Sequence, residues 1–272
     1  MTGLERFMEA KKDEVARLEA MGAEAFAPWR GERPSFVRAL ESGGEGPLAV
    51  IAEYKRASPS RGVICESLEP EDAAIQYALG GASALSVLTE ERYFHGSLSY
   101  LFRMASALER EGVRVPMLRK DFIFHPLQVA ATLASPASAV LLIVRLTPDA
   151  RLLRDLREQA EAGGVQAVVE VFDERDVALA RESGARIIQV NARDLSSLRV
   201  DRKACLKLAG ACPPKDGELW IAASGMTCRS DLEEAAEAGF GAALVGSALM
   251  EEGCPGKALR RLLHGRGRED EN

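Results

Sequence analysis

Eight short apolar runs along the chain each finish in a polar or charged residue: Ala49 to Lys55, Ala84 to Thr89, Val115 to Lys120, Ala139 to Arg145, Gln166 to Glu170, Ile187 to Asn191, Leu219 to Ser224, and Ala242 to Ser247. The segments between them have helical period, and the repeat of roughly 20–35 residues is that of a strand plus a crossover helix. Parallel strands joined in this way must be covered on both faces, and eight of them close on themselves most simply. The reading is an α/β chain forming a (β/α)8 TIM barrel with an N-terminal helical extension, its strand C-termini surrounding one mouth. The 272 residues and 47% hydrophobic content suit one barrel interior and one helix–sheet layer; two domains would each be too short for eight βα units. Expected boundaries are 1–47 for the extension, 48–264 for the barrel and 265–272 for a frayed polar tail.

Leu4, Phe7, Met8, Val15, Leu18 and Met21 recur near helical spacing among Lys and Glu. They predict an amphipathic first helix that lacks the apolar core of a secretory signal. Phe36 to Leu40 reads as a second short helix, and the two segments either cap the barrel bottom or shape its mouth. Crossover helices are expected at Pro70 to Leu79, Leu98 to Arg110, Pro126 to Leu133, Pro148 to Ala162, Glu174 to Arg181, Arg202 to Leu208, Arg229 to Ala238 and Pro255 to Leu263. Several open with Pro or an acidic residue, and Gly163-Gly164, Gly184 and Gly239 follow as stops.

A net charge of −6 leaves no basic excess to neutralise phosphates along a nucleic acid, although a few local cations can hold one small anion. No nucleic-acid partner is expected. The five cysteines are scattered with no C-x-x-C pair, which argues against a disulfide framework and a zinc site and for a reducing cytosol. His95 and His125 stand apart from each other and from the cysteines, so no metal is expected. With no run of about 18 apolar residues, the expectation is a soluble cytoplasmic protein with no membrane contact.

Function in such a barrel belongs at the strand C-termini. Glu53 and Lys55 lie two apart at the end of the first run, so both point inward at the rim while Tyr54 faces the helices. Lys120 and Glu170 likewise continue the inward alternation of the third and fifth runs, and either a structural ion pair or acid–base work on a small anionic substrate accounts for such charges. Asn191 follows the sixth run, where its amide serves a substrate hydroxyl or an Asx-turn. Ser224-Gly225 and Gly246-Ser247 are small residues whose backbone N–H groups suit a phosphate site, as they also suit ordinary turns. The stretch Ala57-Ser58-Pro59-Ser60-Arg61-Gly62 has the hydroxyls and the cation of a loop closing over an anion.

Several blocks in register resemble a known family: Ile51-Ala52-Glu53-Tyr54-Lys55-Arg56-Ala57-Ser58-Pro59-Ser60, Leu85-Ser86-Val87-Leu88-Thr89-Glu90 with Tyr93-Phe94-His95-Gly96-Ser97, Leu118-Arg119-Lys120-Asp121-Phe122-Ile123, and Val190-Asn191-Ala192-Arg193-Asp194-Leu195. They look like the indole-3-glycerol-phosphate synthases of tryptophan biosynthesis, and the likeness runs in order from about Leu4 to Leu263. It implies ring closure of 1-(2-carboxyphenylamino)-1-deoxyribulose 5-phosphate to indole-3-glycerol phosphate, with loss of carbon dioxide and water and without metal or organic cofactor. It further implies a phosphorylated small-molecule substrate and, as partners, other enzymes of the tryptophan pathway. By the same resemblance Lys120 is the general acid at the ribulose carbonyl, and Glu170 serves the later proton transfers. Glu53 and Lys55 form the first-strand pair, with that lysine meeting the substrate's anionic groups and acting in dehydration. Asn191 completes the catalytic set. Ser58, Arg193, Ser224, Gly225, Gly246 and Ser247 form the substrate and phosphate cradle, and Phe94, Phe122 and Leu141 form the apolar wall around the anthranilate ring.

Two positions depart from the pattern. The family commonly has Glu before the Ser-Gly that follows strand seven, whereas this chain reads Ala222-Ala223-Ser224-Gly225. Leu133-Ala134-Ser135-Pro136-Ala137-Ser138 replaces a Gly-Ala-Asp-like turn at the barrel bottom, where stability rather than catalysis is concerned. The missing carboxylate motivates an alternative, a catalytically impaired barrel serving as a binding or scaffold subunit. Another phosphate-binding barrel isomerase would explain Gly246-Ser247 but not the combination of Lys55, Lys120 and Glu170.

Overall fold

The computed structural model describes residues 3–147, 149–194, 197–251 and 253–265. The expected tail beyond Gly265 lies outside the described residues, as do Pro148 and Leu195. Eight parallel strands, β1 (Ala49–Tyr54), β2 (Ala84–Leu88), β3 (Met117–Lys120), β4 (Ala139–Ile143), β5 (Gln166–Val171), β6 (Ile187–Asn191), β7 (Leu219–Ala223) and β8 (Ala242–Val245), form a closed barrel. Closure comes where β8 pairs with β1, Ala49 opposite Ala242 and Ile51 opposite Leu244. Alternation then sorts the side chains. Ile51, Leu118, Leu141, Val168, Ile187, Ile221 and Leu244 fill the interior, while Val50, Tyr54, Val87, Val140, Val169, Ile188 and Trp220 lie under the helices.

The outer layer is α3 (Pro70–Leu79), α5 (Ser99–Arg110), α6 (Pro126–Leu133), α7 (Ala150–Ala162), α8 (Glu174–Ser183), α9 (Arg202–Ala211), α10 (Arg229–Glu237) and α12 (Pro255–His264), each within a few residues of its expected span. Short α4 (Glu91–Phe94) and α11 (Ser247–Met250) decorate the βα loops after β2 and β8. The side chains of Asp149, Asp173 and Asp201 cap α7, α8 and α9 by accepting backbone N–H groups, which satisfies donors that a helix start leaves open.

The N-terminal extension does both things the sequence allowed. Its first helix α1 (Gly3–Met21) lies at the mouth, where the buried Phe7 stacks on Phe122 with ring centroids 4.2 Å apart. Its second, α2 (Phe36–Glu41), closes the bottom: Phe36 and Leu40 join the interior cluster, and Val37 N–H donates to the side chain of Gln166 at the start of β5, 3.1 Å away. The turn Leu133 to Ser138 is clamped by the same extension, since Trp29 N–H and the Arg33 guanidinium both donate to Leu133 O, at 2.8 and 2.6 Å.

One strand end differs from expectation. The fourth run continues in apolar residues to Arg145, but β4 stops at Ile143 and residues Val144–Leu146 form a 3-10 turn. The turn swings Arg145 out of the barrel to Asp173 and Asp176 at the start of α8, 2.8 and 2.9 Å away, where the guanidinium also lies over the Phe172 ring. Two acidic partners and a ring face outcompete the cavity for this cation. Among the described residues no helix is long and apolar enough to cross a membrane.

Candidate active site

The strand C-termini open on a cavity of about 540 Å³, in the size range that encloses a small ligand. Glu53, Lys55, Lys120, Glu170, Asn191, Arg193, Ser224, Gly225, Gly246 and Ser247 all line it, and Phe94, Phe122 and Leu141 supply an apolar wall. Ser58 does not: it is buried in a two-residue hairpin strand, Ala57–Ser58 against Gly62–Val63, with its hydroxyl 3.5 Å from that of Ser60. Arg61, from the same loop, reaches the cavity instead and pairs with Glu251 from the loop after β8.

The charges are arranged as two pairs. Lys55 Nζ donates to Glu53 Oε1 at 2.7 Å, and Ser86 Oγ lies 3.4 Å from Glu53 Oε2. Burial pushes the Glu53 carboxyl upward, but the Lys55 and Lys120 ammonium groups, with the hydrogen bonds from Lys55 and Ser86, outweigh it and hold the group below the ordinary carboxylate value. Glu53 therefore stays an anion that keeps two cations in place. Across the mouth, Lys120 Nζ is 3.5 Å from Oε2 of the buried Glu170, and Gln189 Nε2 donates to that same oxygen.

Glycine at 246 has a definite cause. A Cβ there would sit 2.5 Å from Glu53 Oε1 and 3.2 Å from its Cβ, so the carboxylate occupies the space that a side chain on β8 would fill. After β7, Ser224 and Gly225 both have positive φ, 71° and 82°. For a serine this is a sparsely populated conformation, of the kind that concentrates at functional sites. It is secured by the Ser224 hydroxyl donating to Asn191 Oδ1 at 2.9 Å, and Asn191 Oδ1 also accepts Arg193 N–H at 3.0 Å. Asn191 is thus an Asx-turn residue and a cavity residue at once, its side-chain oxygen occupied by two donors. Arg193 donates to Ser60 Oγ at 3.3 Å and Leu198 O at 3.0 Å, with burial drawing its guanidinium pKa down.

Next to Lys120, Asp121 lines the cavity too and is committed to a charged network of its own. Asp121 pairs with Lys11 of α1 at 2.8 Å and with Arg119 at 3.1 Å, accepts the Thr89 hydroxyl at 2.5 Å, and takes Phe122 N–H at 2.8 Å. Glu90 also touches the cavity, but its carboxylate is committed to the Arg92, Tyr93 and Phe94 N–H groups at the start of α4. The two isolated histidines have local partners: His95 meets Glu66, and His125 caps α6.

Comparison with known proteins gives the family. The family model described as Indole-3-glycerol phosphate synthase matches residues 4–262. The indole-3-glycerol phosphate synthase of Desulfotalea psychrophila is 38% identical over 262 residues, covering 95% of this chain and 97% of that protein. That of Rhodococcus jostii is 39% identical over 268 residues, covering 97% and 96%.

The chain belongs to the indole-3-glycerol phosphate synthase family.

Among solved structures, the N-acetylmannosamine-6-phosphate 2-epimerase of Clostridium perfringens has a similar fold, with a TM-score of 0.59 at 14% identity over 84% of this chain and 96% of that one. The likeness at that identity is one of barrel architecture alone. Ala223 lines the cavity opposite Asn191 on the neighbouring strand. The two cavity lysines each have a carboxylate partner, Lys55 in Glu53 and Lys120 in Glu170. Sequence reasoning missed Arg61 as a partner of Glu251, Glu251 itself, and Gln189; only Gln189 carried a signal, an amide at an inward position between Ile187 and Asn191.

Proposed function

We propose that this indole-3-glycerol phosphate synthase family member closes the indole ring of 1-(2-carboxyphenylamino)-1-deoxyribulose 5-phosphate, releasing carbon dioxide and water, and that the two Lys–Glu pairs of the cavity carry the proton transfers. The observation that carries the reading is the convergence of Lys55, Lys120, Glu53 and Glu170 on one cavity with an apolar wall.

The carboxylate-bearing ring carbon attacks the ribulose ketone, a carbon–carbon bond forms, and negative charge develops on the carbonyl oxygen. An ammonium held in a partly dehydrated site stabilises that oxygen and gives it a proton, the part assigned to Lys120. The carbon–carboxylate electron pair returns to the ring as carbon dioxide leaves, so the step needs placement more than an electron sink. Phe94, Phe122 and Leu141 provide a surface for that ring. Dehydration follows: Lys55 protonates the departing hydroxyl, and Glu170 accepts the proton lost as the five-membered ring becomes aromatic. The Ser224-Gly225 and Gly246-Ser247 backbone, with Arg193, holds the phosphate at the far rim. The five unpaired cysteines support placement in a reducing cytoplasm, beside other enzymes of the tryptophan pathway.

A steady-state assay that follows indole absorbance or fluorescence tests the reading. Turnover by the wild-type chain and a fall of roughly 10²–10⁴ in kcat for Lys120→Ala are expected. Near-normal turnover in that variant would remove the mechanism, and tight substrate binding with no wild-type turnover would favour the scaffold alternative that Ala223 raises.

A further inference from the structure

Gln189 lies on β6 between Ile187 and Asn191, so its side chain points into the barrel, and it is wholly buried. It does not line the cavity. In register it stands opposite Glu170 on one side and Ile221 on the other, among interior residues that are otherwise apolar. Its Nε2 donates to Glu170 Oε2, the oxygen that faces Lys120 Nζ at 3.5 Å. Because an ionised carboxylate only accepts, this contact fixes which end of the amide is which. The other end, Oε1, is buried with no hydrogen-bond partner. A polar side chain with an orphaned acceptor is an unfavourable choice for packing alone, so its donor end is what the position is for.

We propose that Gln189 is a positioning residue for the reaction: from beneath the cavity its amide pins Glu170 by Oε2 and keeps the carboxylate from closing onto Lys120. The inference rests on the assignment of Glu170 to proton transfer. A hydrogen bond to one carboxylate oxygen favours the charged form and restricts the side chain's rotation. Lys120 then meets an anion already held from the β6 side, at a long 3.5 Å contact that its ammonium can exchange for substrate. The neighbouring inward positions on β7, Ile221 and Ala223, bring no competing donor to Glu170. The charged groups that share the cavity with it are Lys120 from β3, Asp121 just after it, the Glu53–Lys55 pair at the end of β1 and Glu90 after β2, with Arg61, Arg193 and Glu251 on the loops above.

The test uses the full chain and two variants of similar volume: Gln189→Met, which has no donor, and Gln189→Glu, which has none when ionised. Each is expected to keep its circular dichroism spectrum and to lower kcat about tenfold with KM within about twofold. The acidic limb of the kcat–pH profile is expected to move about one unit to higher pH. A wild-type kcat and pH profile in either folded variant overturns the proposal. So does failure of both variants to fold, which would make Gln189 purely structural. Glu170→Gln run alongside separates the two readings. Turnover retained in that variant removes the role of Glu170 and this inference with it, whereas turnover lost there but normal in the Gln189 variants removes the role of Gln189 alone.

Discussion

At residue 246 the missing side chain is what lets Glu53 stand where it does. Gly246→Ala puts a methyl where the Glu53 carboxylate stands, so its effect falls on the group that the methyl would displace. A shift of about 1 Å in such a group costs on the order of 10²-fold in kcat; steady-state kinetics read this, and an unchanged kcat would show that the Glu53 position does not matter. Asp121 makes a different kind of prediction. Burial pushes its carboxyl up, but Lys11, Arg119 and the hydrogen bonds from Lys11 and Thr89 bring it down to about 2. An unfolded Asp titrates near ~3.9, so the stabilisation is complete above that pH and drains away as pH falls toward 2. Asp121→Asn should therefore weaken folding at neutral pH by about 3 kcal/mol, the low end for breaking a buried pair because Lys11 and Arg119 keep Glu14 as a partner, and should flatten the acid limb of a urea-unfolding series. Glu53, Lys55, Lys120, Glu170 and Asn191 were legible because each sits at the end of a run where alternation points it inward, whereas Phe94, Phe122, Leu141 and Arg193 were named only through the family resemblance. Ser58 and Arg61 were not separable in sequence, since loop residues have no period and the hairpin that buries one and presents the other is two residues long on each side.

Between elements, the loop after β1 is held over the mouth by contacts from opposite directions: Arg61 with Glu251 beyond β8, and Ser60 with Arg193 beyond β6. Both side chains of the ion pair are about half exposed, 52% and 48%, so it contributes little to stability. Its effect on substrate is larger in principle, because Glu251 is an anion beside the Gly246-Ser247 rim assigned to phosphate. Glu251→Gln should leave the unfolding midpoint nearly unchanged and lower KM about 2- to 5-fold, the equivalent of up to about 1 kcal/mol. A raised KM would mean that the pair's role in holding the loop dominates. Strands and long helices could be read from period; the four-residue α4 and α11 are too short to show one. Strand four was read too long because Val144 and Leu146 extend its apolar run, and nothing local announces that Arg145 will find Asp173 and Asp176, 28 and 31 residues further on.

Over the whole molecule, the extension divides its work between the two ends of the barrel. Phe36 on α2 and Phe7 on α1 are both buried, yet one plugs the bottom and the other stacks on a residue of the cavity wall. Truncation of either to Ala should weaken folding by roughly 3–5 kcal/mol. Below the melting transition Phe36→Ala should retain kcat, whereas Phe7→Ala should lose part of it through Phe122, and assays well below Tm distinguish the two. Equal losses of turnover would contradict the separation of a stabilising bottom from a catalytic top. The seat of Glu53 against Gly246 carries the same logic into biosynthesis. A carboxylate translated with the first stave is left its seat only if the eighth arrives bare at residue 246, so a position made late decides whether one made early has room.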